Sequence, residues 1–206
     1  MENQNHAFNY AYLLKQVKAR VLLAQKKAIY TANEEMLSMY WDIGKLLSES
    51  QKQIGWGNNA LEKLANDLKN DYPEMKGFSV RNCQFMIQFY NEYNQQLTNT
   101  KRAVSYLNNN EIVLPISKLG WSHNITLMQR TKDIKARYWY MIQCLKNGWS
   151  RDFLIEAIKQ DYYHSHGALA SNFDTTLPEI QAKQVKETLK DPYIFDMLTF
   201  TDEYNE

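Results

Sequence analysis

Ser79-Val80-Arg81-Asn82-Cys83-Gln84-Phe85-Met86-Ile87-Gln88-Phe89-Tyr90-Asn91 contains no glycine or proline. Its apolar residues recur at helical spacing: Val80, Cys83, Ile87 and Tyr90, with Met86 beside them. Arg81, Gln84, Gln88 and Asn91 repeat at the same intervals on the other side. Two stripes of opposite character at this period predict an amphipathic helix. Ser79 is suited to cap it, because a serine hydroxyl accepts from a free N–H of the first turn. The segment before it predicts a second helix over 59–71, with Asn58 as cap and Leu61, Leu64, Ala65 and Leu68 inward. Tyr72-Pro73 stops that helix, since the residue before a proline is driven out of the helical region. Two short helices joined by a tight segment with Pro73 and Gly77 suggest a helix-turn-helix over 59–94.

Outward from this pair the chain stays helical. Residues 8–31 place Leu14, Val17, Val21, Ala24 and Ala28 on one stripe, with Lys15, Lys18, Lys26 and Lys27 elsewhere. Residues 33–53 repeat the pattern with Met36, Tyr40, Ile43 and Leu47. No glycine or proline separates them, so one long kinked helix is expected, ended by Gly55-Trp56-Gly57. On the other side, 95–117 reads as loop, with room for a short strand, a small β-wing, at Ile112-Val113-Leu114. Ser122 is expected to cap a helix of about ten residues. A helix over 134–147 ends at Asn147-Gly148, and Ser150 caps another over 151–162. A linker over 163–178, a short helix over 179–190 and Asp191-Pro192 follow. The expected fold class is all-α, mainly helical, with a long N-terminal arm. The expected division is a helical domain over 8–162 and a linker with a short helix over 163–206.

Composition agrees. Seven glycines and four prolines in 206 residues leave few turns, which favours long helices over a many-stranded sandwich. Cys83 and Cys144 each sit inside an apolar helical pattern and read as reduced core residues, not a disulfide framework. No apolar run approaches the roughly 18 residues of a membrane span, and Met1–His6 lacks a signal-peptide core, so a cytoplasmic protein is expected. The net charge of +1 hides an asymmetry. Residues 115–160 hold eight basic and three acidic side chains, a net of +5, while 161–206 hold three lysines and nine acids. A basic middle fits a phosphate-facing surface; scattered charge on solvated helices fits it as well.

The polar stripe is the first functional candidate. Arginine can grip guanine O6 and N7, and Gln or Asn can grip adenine. The N-terminal end of such a helix also draws phosphate through its free N–H groups and dipole. Trp121-Ser122-His123 and Trp149-Ser150-Arg151 form a second candidate. Each tryptophan precedes a cap as a hydrophobic staple would, and His123 and Arg151 fall in first turns where they can meet phosphate.

Catalytic signatures are weak. Asp71-Tyr72-Pro73-Glu74-Met75-Lys76 has the letters of a nuclease site, but all in one turn, where they cannot converge on a metal and its water. His164-Ser165-His166 lacks a third ligand type, so no metal site is expected. There is no G-x-S-x-G and no P-loop.

Several motifs together resemble the YhcG family: Tyr40-Trp41-Asp42-Ile43-Gly44, Leu61 with Leu64-Ala65-Asn66-Asp67-Leu68-Lys69, and Gly77-Phe78-Ser79-Val80-Arg81-Asn82 with Met86 and Phe89-Tyr90. Leu119-Gly120-Trp121-Ser122-His123 and Asn147-Gly148-Trp149-Ser150 complete the set, which covers about residues 10–200. Gly120 and Cys83 depart from the pattern. The resemblance implies a bacterial-type, winged-helix-like DNA-binding unit ahead of a PD-(D/E)XK nuclease domain. Asp191-Pro192-Tyr193-Ile194-Phe195-Asp196 is similar to the junction where that nuclease would begin. On this reading the chain is the non-catalytic DNA-handling half, with no cofactor of its own; Mg²⁺ belongs to the nuclease domain. Ser79, Arg81, Asn82, Gln84, Gln88, His123 and Arg151 are the expected nucleic-acid contacts. DNA is the expected partner, with no membrane and no small-molecule substrate. The alternatives are a protein-interaction or dimerisation module, supported by the amphipathic stretch 8–53 and the aromatic content, and a stand-alone transcriptional regulator. A homo-oligomer is compatible with each.

Overall fold

In the computed structural model, residues 10–54, 58–97, 115–167, 187–188 and 190–194 are described. The all-α expectation holds among them. Six helices form in chain order: α1 Tyr10–Ile54, α2 Asn58–Asp71, α3 Val80–Leu97, α4 Trp121–Arg130, α5 Ile134–Asn147 and α6 Arg151–Lys159. Short 3₁₀ turns at Lys76–Phe78 and Ile116–Lys118 precede α3 and α4. The candidate strand at 112–114 and the glycine pair Gly55 and Gly57 lie outside the described residues.

The two N-terminal helices are one. α1 runs 45 residues, about 68 Å at 1.5 Å per residue. Its C-terminal part supplies a core stripe of Ile29, Met36, Leu37, Tyr40 and Leu47. Asn33, wholly buried in that stripe, donates through Nδ2 to the carbonyls of Ser117 (2.7 Å) and Leu119 (3.1 Å). A side-chain amide on α1 thus holds the turn leading into α4. Gly44 lets α3 come close: a Cβ at position 44 would run into the Met86 carbonyl.

Tyr40, Met86, Phe89, Trp121 and Ile194 join α1, α3, α4 and the C-terminal segment in one cluster. The Trp121 ring lies 5.0 Å from Tyr40 and 5.1 Å from Phe89, the latter edge-on at 86°. Such pairs add roughly 0.5–1.5 kcal/mol beyond area burial. Leu127, Tyr140, Met141, Cys144 and Leu154 form a second cluster between α4, α5 and α6. Leu47, Leu61 and Cys83 form a third, where α2 meets α1 and α3. Cys83 and Cys144 are buried free thiols, as expected.

Two local expectations change. The N-cap of α4 is Gly120 rather than Ser122, whose backbone N–H is instead taken by Asp191 Oδ2 at 2.8 Å. The last helix stops at Lys159, because Asp161 turns into left-handed backbone (φ 53°) and a π-helical turn spans Tyr163–Gly167. Ile194 is fully buried, Tyr193 meets Tyr40 edge-on at 6.3 Å, and Asp191 is buried against α4, so 191–194 pack with the helical unit. By contrast, Ser150 caps α6 by accepting from Phe153 N (3.2 Å), and α5 ends at Gly148 in left-handed backbone (φ 61°).

Candidate nucleic-acid interface

The start of α3 is built by its cap. Ser79 Oγ accepts from Asn82 N at 3.2 Å, and no acidic residue occupies the first turn. The helix then lies between α1 and α2, and this places its buried arc. The residues most deeply buried are Asn82, Cys83, Met86, Phe89 and Tyr93, whereas Val80, Ile87 and Tyr90 are only half-buried. The arc is rotated about 100° from the one the apolar letters suggest, which is one residue of helix. The polar stripe stays on the outer side, but one expected contact beside it is lost.

That loss is Asn82. It is 1% exposed, donates through Nδ2 to the Gly77 carbonyl (2.6 Å), and accepts from Trp121 Nε1 (2.7 Å). Both ends of its amide are committed inside the fold, so Asn82 is a lock between the turn, α3 and α4, and cannot read a base. His123 is corrected for the same reason. It is 3% exposed, and Nε2 lies 2.9 Å from the Trp149 carbonyl, so this nitrogen carries the hydrogen. Burial pushes its pKa below the ordinary histidine value, partly offset by that hydrogen bond. A neutral, enclosed imidazole is not a phosphate contact.

Arg81 and Gln84 are exposed on the first turns of α3. The Arg81 guanidinium sits 5.5 Å from the centre of the Phe85 ring, a cation–π contact that restrains the arm while leaving its charge in solvent. Further along, the stripe is less free. Gln88 is half-buried and donates to Glu92 Oε1 (2.6 Å), and Asn91 Oδ1 accepts from Ser48 Oγ (2.8 Å). Asn91 is exposed but tied to α1, so the part of the stripe that is exposed and not tied to another helix is its N-terminal end.

Arg151 is exposed at the first residue of α6, beside Asp152 at 3.3 Å. It shares a cleft with His123, Glu187, Lys190 and Asp191. Two of the expected contacts thus come together away from α3. The cleft also holds Asp152, Glu187 and Asp191, and the Asp191 carboxylate already fills the anion seat at the start of α4. Gly120 makes that seat possible, since a side chain there would meet Asp191. This cleft is poorly suited to phosphate.

The basic stretch is likewise partly internal. Arg137 is buried, pairs with Glu92 (2.8 Å), donates twice to the Thr131 carbonyl and lies over Tyr93. Lys118 pairs with Glu34. Arg130, Lys132 and Lys135 remain exposed at the α4–α5 junction. Among the described residues no group of three or more His, Cys, Asp or Glu could hold a metal. His164 instead pairs with Asp161 at 2.7 Å. No helix of the described residues is long and apolar enough to cross a membrane.

Comparison with known proteins gives the family. The family model described as "DUF1016 N-terminal domain" matches residues 16–165. The chain belongs to this DUF1016 N-terminal domain family. It is also similar to "Putative nuclease YhcG" of Escherichia coli (strain K12), 23% identical over 209 residues, covering 89% of this chain and 54% of that protein. The chain spans about half the length of the curated relative it matches. No solved structure matches it. The matched DUF1016 region takes in α2, α3 and α4 whole, together with the locks at Asn33 and Asn82.

Proposed function

We propose that this chain is the non-catalytic DNA-binding module of a longer nuclease, and that it meets DNA through the N-terminal end of α3. The observation that carries the proposal is the pairing of Arg81 and Gln84, both exposed on a helix start whose first turn has no carboxylate. Ser79, Arg81 and Gln84 supply the near contacts. Gln88 sits at the margin, where its tie to Glu92 limits it. The α2–α3 pair serves as a helix-turn-helix with a long turn: residues 72–79 separate the helices, where the usual turn is about 3–4 residues. The similarity to a protein named as a nuclease supports a nucleic-acid partner. In this reading the metal-dependent cleavage, with Mg²⁺, resides in a part of the full-length protein beyond this module.

Fluorescence anisotropy of labelled duplex DNA, titrated with the purified chain across salt, tests the proposal. Affinity is expected to fall with salt with a log–log slope of roughly −0.9 per phosphate contact, about three contacts or more in all. A flat salt response, or no binding to any duplex at low salt, would remove the DNA reading and leave the interaction-module alternative. The exposed arm of α1 is the observation favouring that second reading.

A further inference from the structure

In the first half of α1 every position from Tyr10 to Gln25 is exposed. It is nevertheless not a plain solvated helix. Tyr10, Leu14, Val17, Val21, Ala24 and Ala28 follow one another at alternating steps of four and three, the spacing of a and d positions in a coiled-coil seam. Val17 and Val21 remain 50% and 51% exposed. At about 100° per residue, this seam points roughly 115° away from the core stripe that α1 buries. The seam is therefore not a frayed edge of the domain's own core. It faces a different direction and would receive something else.

Charge selects among the candidates. Between Tyr10 and Asn33 there are five basic residues, Lys15, Lys18, Arg20, Lys26 and Lys27, and no acid. A second copy of the arm would bring five more positive charges alongside these with no acid to offset them, which disfavours self-pairing. Nearer the body the seam narrows to small residues. Ala24, Ala28, Thr31 and Ala32 floor a shallow hollow, with Arg20 and Lys27 along its sides. Small residues at that point admit the side chain of a packed helix as a knob into a hole. A helix lying in a membrane surface would instead carry bulky anchors along its whole apolar face.

We propose that the α1 arm is a docking helix for an acidic amphipathic helix of a partner protein. The partner's apolar residues would fill the seam over Leu14 to Ala28, and its carboxylates would meet Lys18, Arg20 and Lys27. This proposal is independent of α3 and of the DNA reading.

The probe is a labelled peptide of about four heptads with Leu at a and d and Glu at e and g, compared with its Lys-for-Glu counterpart. Binding to the full chain by anisotropy is expected to favour the Glu peptide by about tenfold or more. Val17→Asp with Val21→Asp should reduce that binding about tenfold or more without moving the chain's thermal unfolding, because both side chains are exposed. Arg20→Glu with Lys27→Glu should reverse the preference toward the Lys peptide. Equal binding of the two peptides would overturn the proposal. So would sedimentation showing a dimer that the Val17/Val21 variant abolishes. A third contrary result is capture of the arm by phosphatidylglycerol vesicles or duplex DNA, with the peptide left unbound.

Discussion

Arg81→Glu is expected to weaken duplex DNA binding about 10- to 100-fold at moderate salt, and to reduce the salt slope by about one to two contacts. The reversal puts a carboxylate where phosphate would approach a helix start whose dipole and free N–H groups favour anions. It also removes the cation held over Phe85. The fold has little reason to respond. Arg81 is exposed and its partner ring is only half-buried, so the unfolding transition should stay within about 0.5 kcal/mol of the unmodified chain. Gln84→Ala should cost less, because an exposed amide brings no net charge to the backbone. Unchanged affinity in Arg81→Glu, with the parent chain binding tightly, would move the contact surface away from α3. The exposed Arg130, Lys132 and Lys135 would then be tested next.

The second large effect is on stability. Trp121→Ala is expected to cost about 3–5 kcal/mol, a large fraction of the roughly 5–15 kcal/mol that holds a domain of this kind together. Trp121 is fully buried, touches Tyr40 and Phe89, and donates to Asn82, so its loss leaves both a cavity and an unpaired acceptor. Asn82→Ala approaches the same node from the other side. It strands the indole N–H and the Gly77 carbonyl, and each buried unpaired group costs about 1–3 kcal/mol. Urea unfolding followed by circular dichroism should show a clear drop in midpoint for both variants. An Asn82→Ala chain with the midpoint unchanged but DNA affinity lost would return Asn82 to the binding surface and undo its assignment as a lock.

Much of the fold is legible in the letters, for identifiable reasons. Pro73 and Gly148 are where helices cannot continue or are ended, and the ends of α2 and α5 fall beside them. Ser79 and Ser150 cap as local chemistry dictates, because a cap needs only its own first turn. What sequence does not show is which third element covers a helix. α3 is covered by α1, α2 and α4, and Asn82 is held inward by the Gly77 carbonyl and by Trp121 of α4, 39 residues on. A polar letter on the edge of a polar stripe carries no sign of it.

The same limit hides Arg137 and Asp191. Arg137 counts toward a basic surface until Glu92 and the Thr131 carbonyl, on either side of it, are seen to enclose it. Asp191 reads as the start of another domain, yet its carboxylate serves a helix start 69 residues earlier. His123 shares this origin, since its partner is the Trp149 carbonyl, 26 residues on. Of the seven residues expected to make contacts, the exposure of Ser79, Arg81, Gln84 and Arg151 is legible, because exposure at a helix start is local. The two buried ones are not, because their burial is set by distant backbone.

The most direct measurement is site-specific photocrosslinking. A benzophenone side chain placed at position 84 reports what lies within reach of the exposed start of α3; the same group at position 23, on the arm, serves as comparison. DNA contact through the start of α3 predicts a strong crosslink from position 84 to bound duplex DNA that is lost in the Arg81→Glu background, and little from position 23. A crosslink confined to position 23, with none from position 84 under saturating binding, would contradict it.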